Sequence, residues 1–247
     1  MSATAIERAK TTKGWLTCAV VVLLVALSLA NGAGNYLENR PVFTEQGVTW
    51  PAVWGQSVLL YAYLFLPIVI GVRAAMMVRV ENDDHNWRRM ASYDAALVPV
   101  YRGKVGALVR FCAAAQLIHV VLFLVTGLLL GFDPAPVTLA RFLLWALAGW
   151  VGACAVALAQ LYAALRIASF ASAVTVAVVG AVAGFLITIP VPAAAYVFPY
   201  TQIGVGMRAR ALESFTGGQA ALFLLVNLVL ITGFAWAGAR VVRRWEY

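Results

Sequence analysis

The chain has 247 residues, of which 63% are hydrophobic and only 11% are charged. Soluble domains have roughly 45–50% apolar and about 25% charged residues, so a soluble globule of this length is excluded. The formal net charge is +8, but the basic residues flank apolar stretches and form no run of their own, so we expect no nucleic-acid partner.

Six long stretches contain no Asp, Glu, Lys or Arg, and a spanning helix needs roughly 20 apolar residues. The stretches are 14–37, 46–72, 111–132, 142–165, 167–207 and 214–239. Within or around them we predict helices at about 14–34, 52–78, 104–130, 139–165, 170–189 and 218–241. The first also has the pattern of a signal peptide, but we expect it to be retained as a spanning helix. The prediction is therefore an all-α integral membrane protein with six transmembrane helices in a single domain, residues 1–247.

The distribution of Lys and Arg predicts the orientation of these helices, because basic residues concentrate on the cytoplasmic side. With both termini in the cytoplasm, 14 of the 18 basic residues lie inside. Those left outside are Arg40, Arg141, Arg208 and Arg210. A seventh crossing would move the basic C-terminal end outside, so we predict six crossings.

The stretch 167–207 is long enough for two helices, but three prolines end the fifth helix early. These are Pro190, Pro192 and Pro199. We therefore predict residues 190–217 to form a helical hairpin on the extracytoplasmic side, lying at the outer membrane surface.

The second and third helices carry polar residues at membrane depth. Gln56 and Tyr63 share a face of the second helix, and Gln116 and His119 share a face of the third. Ionisable groups at this depth usually face the bundle interior or a cavity. Both pairs are candidates for a transport path; the alternatives are interhelical hydrogen bonds and, for His119, a neutral imidazole bonded to a neighbouring helix.

Gly180 and Gly184 form a GxxxG pattern in the fifth helix. Small residues at this spacing allow close approach of another helix. We predict a contact between subunits, with packing inside one chain as the alternative.

The sequence contains no P-loop, no nucleophile elbow and no zinc-protease motif. The three cysteines lie inside spanning stretches and lack the C-x-x-C spacing of a zinc site. We therefore assign no catalytic residue, metal or cofactor to this chain.

The largest hydrophilic segment is the cytoplasmic loop 79–103. Asp83 or Asp84 can cap a short helix at 83–92, in which Trp87 and Met90 give an apolar face beside the basic pair Arg88 and Arg89. A metal site at Asp83, Asp84 and His85 is the weaker alternative.

This loop resembles that of the ABC-2 type permeases, and most closely the lantibiotic-immunity branch. The similarity lies in Glu81, a polar stretch, Trp87 with basic neighbours, then Pro99 and Lys104 before the third helix. The resemblance implies a coupling helix that contacts an ATPase. Its residues would be Glu81, Asp83, Asp84, Trp87, Arg88, Arg89 and Met90.

The resemblance also implies the partners and the compartment. It predicts a permease in the bacterial cytoplasmic membrane that pairs with a second permease, identical or homologous, and with separate ATP-binding subunits that hold ATP and Mg. Such permeases expel amphiphiles such as antimicrobial peptides or drugs. The competing hypotheses are an ion- or proton-coupled carrier and an intramembrane enzyme that uses His119 or the Asp83-Asp84-His85 cluster.

Overall fold

The computed structural model describes residues 14–82 and 97–245 of the chain. Within these ranges all regular secondary structure is helical. The predicted coupling helix at 83–92 lies outside the described residues. This applies to Asp83, Asp84, Trp87, Arg88, Arg89 and Met90.

The predicted number of spanning helices is confirmed, since the described residues contain six helices long and apolar enough to cross a membrane. Their bounds are Gly14–Glu38, Trp50–Asn82, Leu97–Leu129, Pro136–Arg166, Phe170–Ile187 and Gly217–Arg243. We refer to them as the first to sixth helices. A six-residue helix, Arg40–Glu45, connects the first two.

The third helix begins at Leu97 and not at the predicted 104. The prediction took the charge of Lys104 as the helix boundary. In the structure this side chain is fully buried and forms an ion pair with Glu81 at 3.0 Å, so its charge does not end the helix. Pro99 lies in the first turn, where its missing N–H costs no intrahelical hydrogen bond.

The second and fourth helices form the centre of the bundle. Within its most apolar stretch, the second helix is 61% buried and the fourth helix is 67% buried inside the chain. The corresponding stretch of the sixth helix is only 11% buried. The sixth helix is consequently left open on most of its circumference to lipid or to another protein.

The first helix packs against the start of the second through Gly32, where an added Cβ would lie 2.7 Å from the Val53 carbonyl oxygen. Near this end, the Trp50 indole N–H donates to the Asp133 carbonyl at 2.8 Å. A Cβ on Gly55 would lie 3.1 Å from Cδ1 of Leu212, in the connection after the fifth helix. The connections after the first, third and fifth helices therefore lie at one end of the bundle, which the Lys and Arg distribution predicts to be extracytoplasmic.

The connection between the fifth and sixth helices enters the bundle. It contains short 3-10 turns at Pro192–Tyr196 and Pro199–Thr201, a five-residue α-helix at Gln202–Gly206 and irregular turns beyond. Ile203 is fully buried, and a Cβ on Gly152, at the midpoint of the fourth helix, would collide with the Gln202 carbonyl. We call residues 190–213 the re-entrant segment. The predicted surface position is therefore wrong for its central part, 200–207.

Side-chain hydrogen bonds to the fourth and sixth helices hold this irregular segment inside the bundle. The Tyr200 hydroxyl donates to Gln160 Oε1 on the fourth helix at 2.6 Å, and Gln160 Nε2 donates to the Ala173 carbonyl on the fifth at 2.6 Å. Asn227 on the sixth helix donates to Gln202 Oε1 at 2.9 Å. Non-helical backbone at membrane depth is tolerated only where protein or water satisfies it. Gln202 Nε2 donates to the carbonyls of Tyr196 and Phe198 at 3.0 and 2.9 Å, and the Trp54 indole N–H donates to the Met207 carbonyl at 2.9 Å.

Candidate functional site

The second helix contains a π-helical turn at Tyr61–Phe65. Pro67 follows it and has no N–H to donate to the carbonyl four residues earlier, and its ring would clash with that carbonyl. The backbone widens, and the N–H of Leu66 bonds to the carbonyl of Tyr61, five residues back. Such turns occur frequently at functional sites.

The π-helical turn directs two tyrosines to different neighbours. The Tyr61 hydroxyl donates to the Ala115 carbonyl of the third helix at 3.1 Å. The Tyr63 ring packs against Gly204 of the re-entrant segment, and any Cβ there would collide with it. The second helix thus contacts the third helix with one tyrosine and the re-entrant segment with the other.

Tyr63 lines a cavity of about 270 Å³ between the second helix, the end of the fifth helix and the re-entrant segment. Its other lining residues include Thr188, Ile189, Tyr196, Arg208 and Arg210. The predicted path residue Tyr63 therefore reaches a cavity.

A neighbouring cavity of about 380 Å³ is lined by Gln56 together with Phe43, Leu59 and Leu212. It shares Ala209 and Arg210 with the first cavity. Gln56 and Tyr63, predicted to lie on one face of the second helix, thus line adjacent cavities on either side of Arg210.

Arg208 occupies an unusual position at the first cavity. It is only 5% exposed, and its φ of 54° lies in the left-handed region, which costs a non-glycine residue on the order of 1–2 kcal/mol. The guanidinium donates through Nε to the Glu213 carbonyl at 2.6 Å and lies 4.5 Å from the centroid of the Phe215 ring. The strain and the contacts together fix this cation in place.

Gln116 and His119 are enclosed in the bundle and line neither of these two cavities. The His119 ring stacks on Tyr61 at 4.5 Å between centroids and meets Trp54 edge-on at 5.2 Å. Neither ring nitrogen has a hydrogen-bond partner among the described residues, so the predicted bond to a neighbouring helix is not seen. Gln116 Nε2 contacts Met207 Sδ at 3.5 Å, while its Oε1 has no partner in the same part of the chain.

The four predicted path residues therefore do not form one continuous site. Gln56 and Tyr63 lie at cavities, whereas Gln116 and His119 belong to a closed aromatic and polar interior. Across the described ranges, no three His, Cys, Asp or Glu side chains come close enough to hold a metal ion.

The opposite end of the bundle contains the buried ion pair of Glu81 and Lys104. Lys104 Nζ also donates to the Met77 carbonyl at 2.9 Å. Glu81 lies at the end of the second helix and Lys104 near the start of the third. The pair therefore joins the two helices that flank the predicted coupling segment.

Gly180 and Gly184 face the re-entrant segment of the same chain. A Cβ on Gly180 would lie 2.5 Å from the Tyr200 ring, and one on Gly184 would lie 3.2 Å from Thr201. This packing supports the intrachain alternative for both glycines. Their place between subunits remains a prediction.

Sequence reasoning missed the side chains that hold the re-entrant segment and the cations at its cavity. The missed residues are Gln160, Tyr200, Gln202, Asn227, Arg208 and Arg210. A signal was available, because Gln160 and Asn227 are isolated amides in otherwise apolar spanning helices, and such amides usually bond across helices.

Comparison with known protein families identifies a match over most of the chain. The family model described as "ABC-2 family transporter protein" matches residues 5–184. This range includes the first four helices and most of the fifth, and it ends before the re-entrant segment. No curated protein and no solved structure matches the chain.

Proposed function

Because the chain belongs to the ABC-2 transporter family, we propose that it is the permease subunit of an ATP-driven exporter. Permeases of this family are membrane components of transporters and are not themselves catalytic, and they associate with ABC ATP-binding subunits. The family match over residues 5–184, joined to six helices of spanning length, is the observation that carries the proposal.

The finer proposal follows the lantibiotic-immunity branch. The chain would lie in a bacterial cytoplasmic membrane with both termini inside and would pair with a second permease, identical or homologous. Its substrate would be an amphiphile such as an antimicrobial peptide or a drug. ATP and Mg would be bound by the partner ATPase.

The geometry of the cytoplasmic end supports a coupling role for residues 83–92. A coupling element transmits motion only if the helices that carry it are rigid at their ends. The ion pair between Glu81 Oε1 and Lys104 Nζ, 3.0 Å apart, joins the adjacent ends of the second and third helices. Trp87 would then anchor the contact with the ATPase, since aromatic residues flanked by Arg are common interface hot spots.

Copurification tests the proposed assembly. The tagged chain is isolated from its native membranes in mild detergent, and bound proteins are identified by mass spectrometry. We expect an ABC ATP-binding subunit, and ATP-dependent export should follow when the complex is reconstituted in liposomes. Export driven by an ion gradient without any ATPase would instead support the carrier hypothesis.

Trp87→Ala tests the coupling element. We expect the variant to insert and fold but to lose export or ATPase binding. The matched control is Trp15→Ala, which removes a tryptophan that is 67% exposed at the same predicted membrane side. If both substitutions have equally small effects on export and ATPase binding, Trp87 acts only as a membrane anchor and the coupling role is contradicted.

A further inference from the structure

The cavity beside Tyr63 is lined by two cations that have no carboxylate partner among the residues that the structure describes. Among the described residues the ion pair that forms is Glu81–Lys104, and neither Arg208 nor Arg210 contacts an acidic side chain there. Arg210 is exposed, and its one polar contact in this part of the chain is Thr188 Oγ1 at 3.5 Å. Arg208 is buried, and within the described ranges it bonds to the Glu213 carbonyl and, at 3.4 Å, to the Tyr196 hydroxyl.

A buried cation without a counterion is unfavourable, so this cavity favours an anion. Guanidinium groups match the geometry of phosphate and carboxylate oxygens and can donate two hydrogen bonds at once. Tyr63 lines the same cavity as both arginines, and its hydroxyl is a further hydrogen-bond donor. The polar part of the cavity thus offers donors and positive charge together.

The rest of the cavity is apolar. Ile189, Pro192, Ala195 and Val205 line it, and the neighbouring cavity continues past Arg210 with Phe43, Leu59 and Leu212. Apolar surface beside a charged end is suited to an alkyl chain attached to an anionic group.

The volume limits what can bind. At roughly 30 Å³ for each water in the liquid, the cavity of about 270 Å³ holds the equivalent of about nine waters. This is enough for a phosphate or carboxylate headgroup with the first carbons of its chain. The two arginines of the cavity disfavour a cationic ligand.

We propose that Arg208 and Arg210 form a binding site for the anionic headgroup of a single- or double-chain amphiphile. The site lies between the π-helical turn of the second helix and the re-entrant segment. The assignment of a headgroup site depends only on this geometry, whereas its use in export rests on the proposed function.

Binding is measured on the full chain in nanodiscs of zwitterionic phosphatidylcholine. Three probes separate the contributions of charge and tail: dodecyl phosphate, dodecyltrimethylammonium with the same tail and opposite charge, and inorganic phosphate without a tail. We expect dodecyl phosphate to bind at least about tenfold more tightly than either of the others, because it alone satisfies both parts of the cavity.

Arg210→Gln is the principal variant. This side chain is exposed and its contact with Thr188 Oγ1 is long, at 3.5 Å, so we expect the variant to fold. We expect it to weaken dodecyl phosphate binding about tenfold. Arg141→Gln, at an exposed arginine of the same membrane side outside the cavity, should leave binding unchanged. Equal binding by wild type and Arg210→Gln, or equal binding of the anionic and cationic probes, would overturn the proposal.

Native mass spectrometry of the purified chain distinguishes the two sources of such a ligand. Phosphatidylglycerol retained by wild type and lost from Arg210→Gln identifies a membrane lipid as the occupant. Absence of retained lipid, with dodecyl phosphate binding intact, favours an amphiphile other than a resident membrane lipid as the occupant. Since neither measurement includes an ATPase, failure of the headgroup site and failure of the exporter assignment give separate results.

Discussion

Replacing one member of the Glu81–Lys104 pair should destabilise the bundle far more than replacing both. Both side chains are essentially excluded from solvent, at 2% and 0% exposure, and their charged atoms lie 3.0 Å apart. Lys104→Met leaves a buried carboxylate without this cation, and Glu81→Leu leaves a buried ammonium without this anion. Each single change is expected to cost about 3–5 kcal/mol of unfolding free energy.

The double variant Glu81→Leu/Lys104→Met buries no charge from this pair and fills similar volume with apolar atoms. Its stability should lie within about 2 kcal/mol of the wild type, because apolar replacement of a complete buried pair is often neutral or favourable. The interaction free energy from the double-mutant cycle should therefore be at least about 4 kcal/mol in magnitude.

The assay is reversible unfolding of the purified chain in mixed micelles, followed by tryptophan fluorescence as the denaturing detergent fraction rises. Lys104→Arg serves as the charge-retaining control and should lose less stability than Lys104→Met. Additive effects, with the double variant as unstable as the sum of both single variants, would show that the two side chains do not form the buried pair described above.

Three further predictions concern other parts of the bundle. His119→Leu should change the free energy of unfolding by less than about 1 kcal/mol, because the ring nitrogens have no hydrogen-bond partner among the described residues. Strong destabilisation in the same micelle assay would contradict this and show that the imidazole makes a stabilising hydrogen bond. Gly180→Ala should destabilise the chain itself through the facing tyrosine ring, whereas Gly184→Ala, with room for a methyl group after a small shift, should be tolerated. If native mass spectrometry instead shows a folded monomer and a lost dimer for Gly180→Ala, the motif belongs to the subunit interface. Single cysteines at Asp133 and Gly217 should react with an impermeant thiol reagent on intact cells, and reaction only after lysis would invert the proposed orientation.

Much of the architecture could be predicted from the absence of charge alone. Roughly 20 apolar residues without a charge are sufficient to identify a spanning helix, and the six helices follow this rule. The error at the start of the third helix has a specific cause. A charge count treats Lys104 as a solvent-facing end, and only the fold brings Glu81 close enough to neutralise it.

The re-entrant segment shows a second limit of sequence reasoning. Proline positions correctly indicated that the fifth helix ends, but apolar composition is the same for a surface hairpin and for a segment inserted between helices. The segment is held in place by long-range hydrogen bonds, which Gln160 accepts from Tyr200 and Asn227 donates to Gln202, between residues far apart in sequence. The candidate headgroup site could not be predicted for the same reason, because it exists only where this segment meets Tyr63.

The hydrogen bonds of the re-entrant segment also impose an order on membrane insertion. Gln160 is synthesised before the segment and Asn227 after it, so the segment cannot be fully seated until the sixth helix has left the translocon. Until then the Gln202 side chain lacks its final partner. A nascent chain that stops before the sixth helix should therefore remain incompletely folded in the membrane. Insertion of the sixth helix is then the step that completes folding.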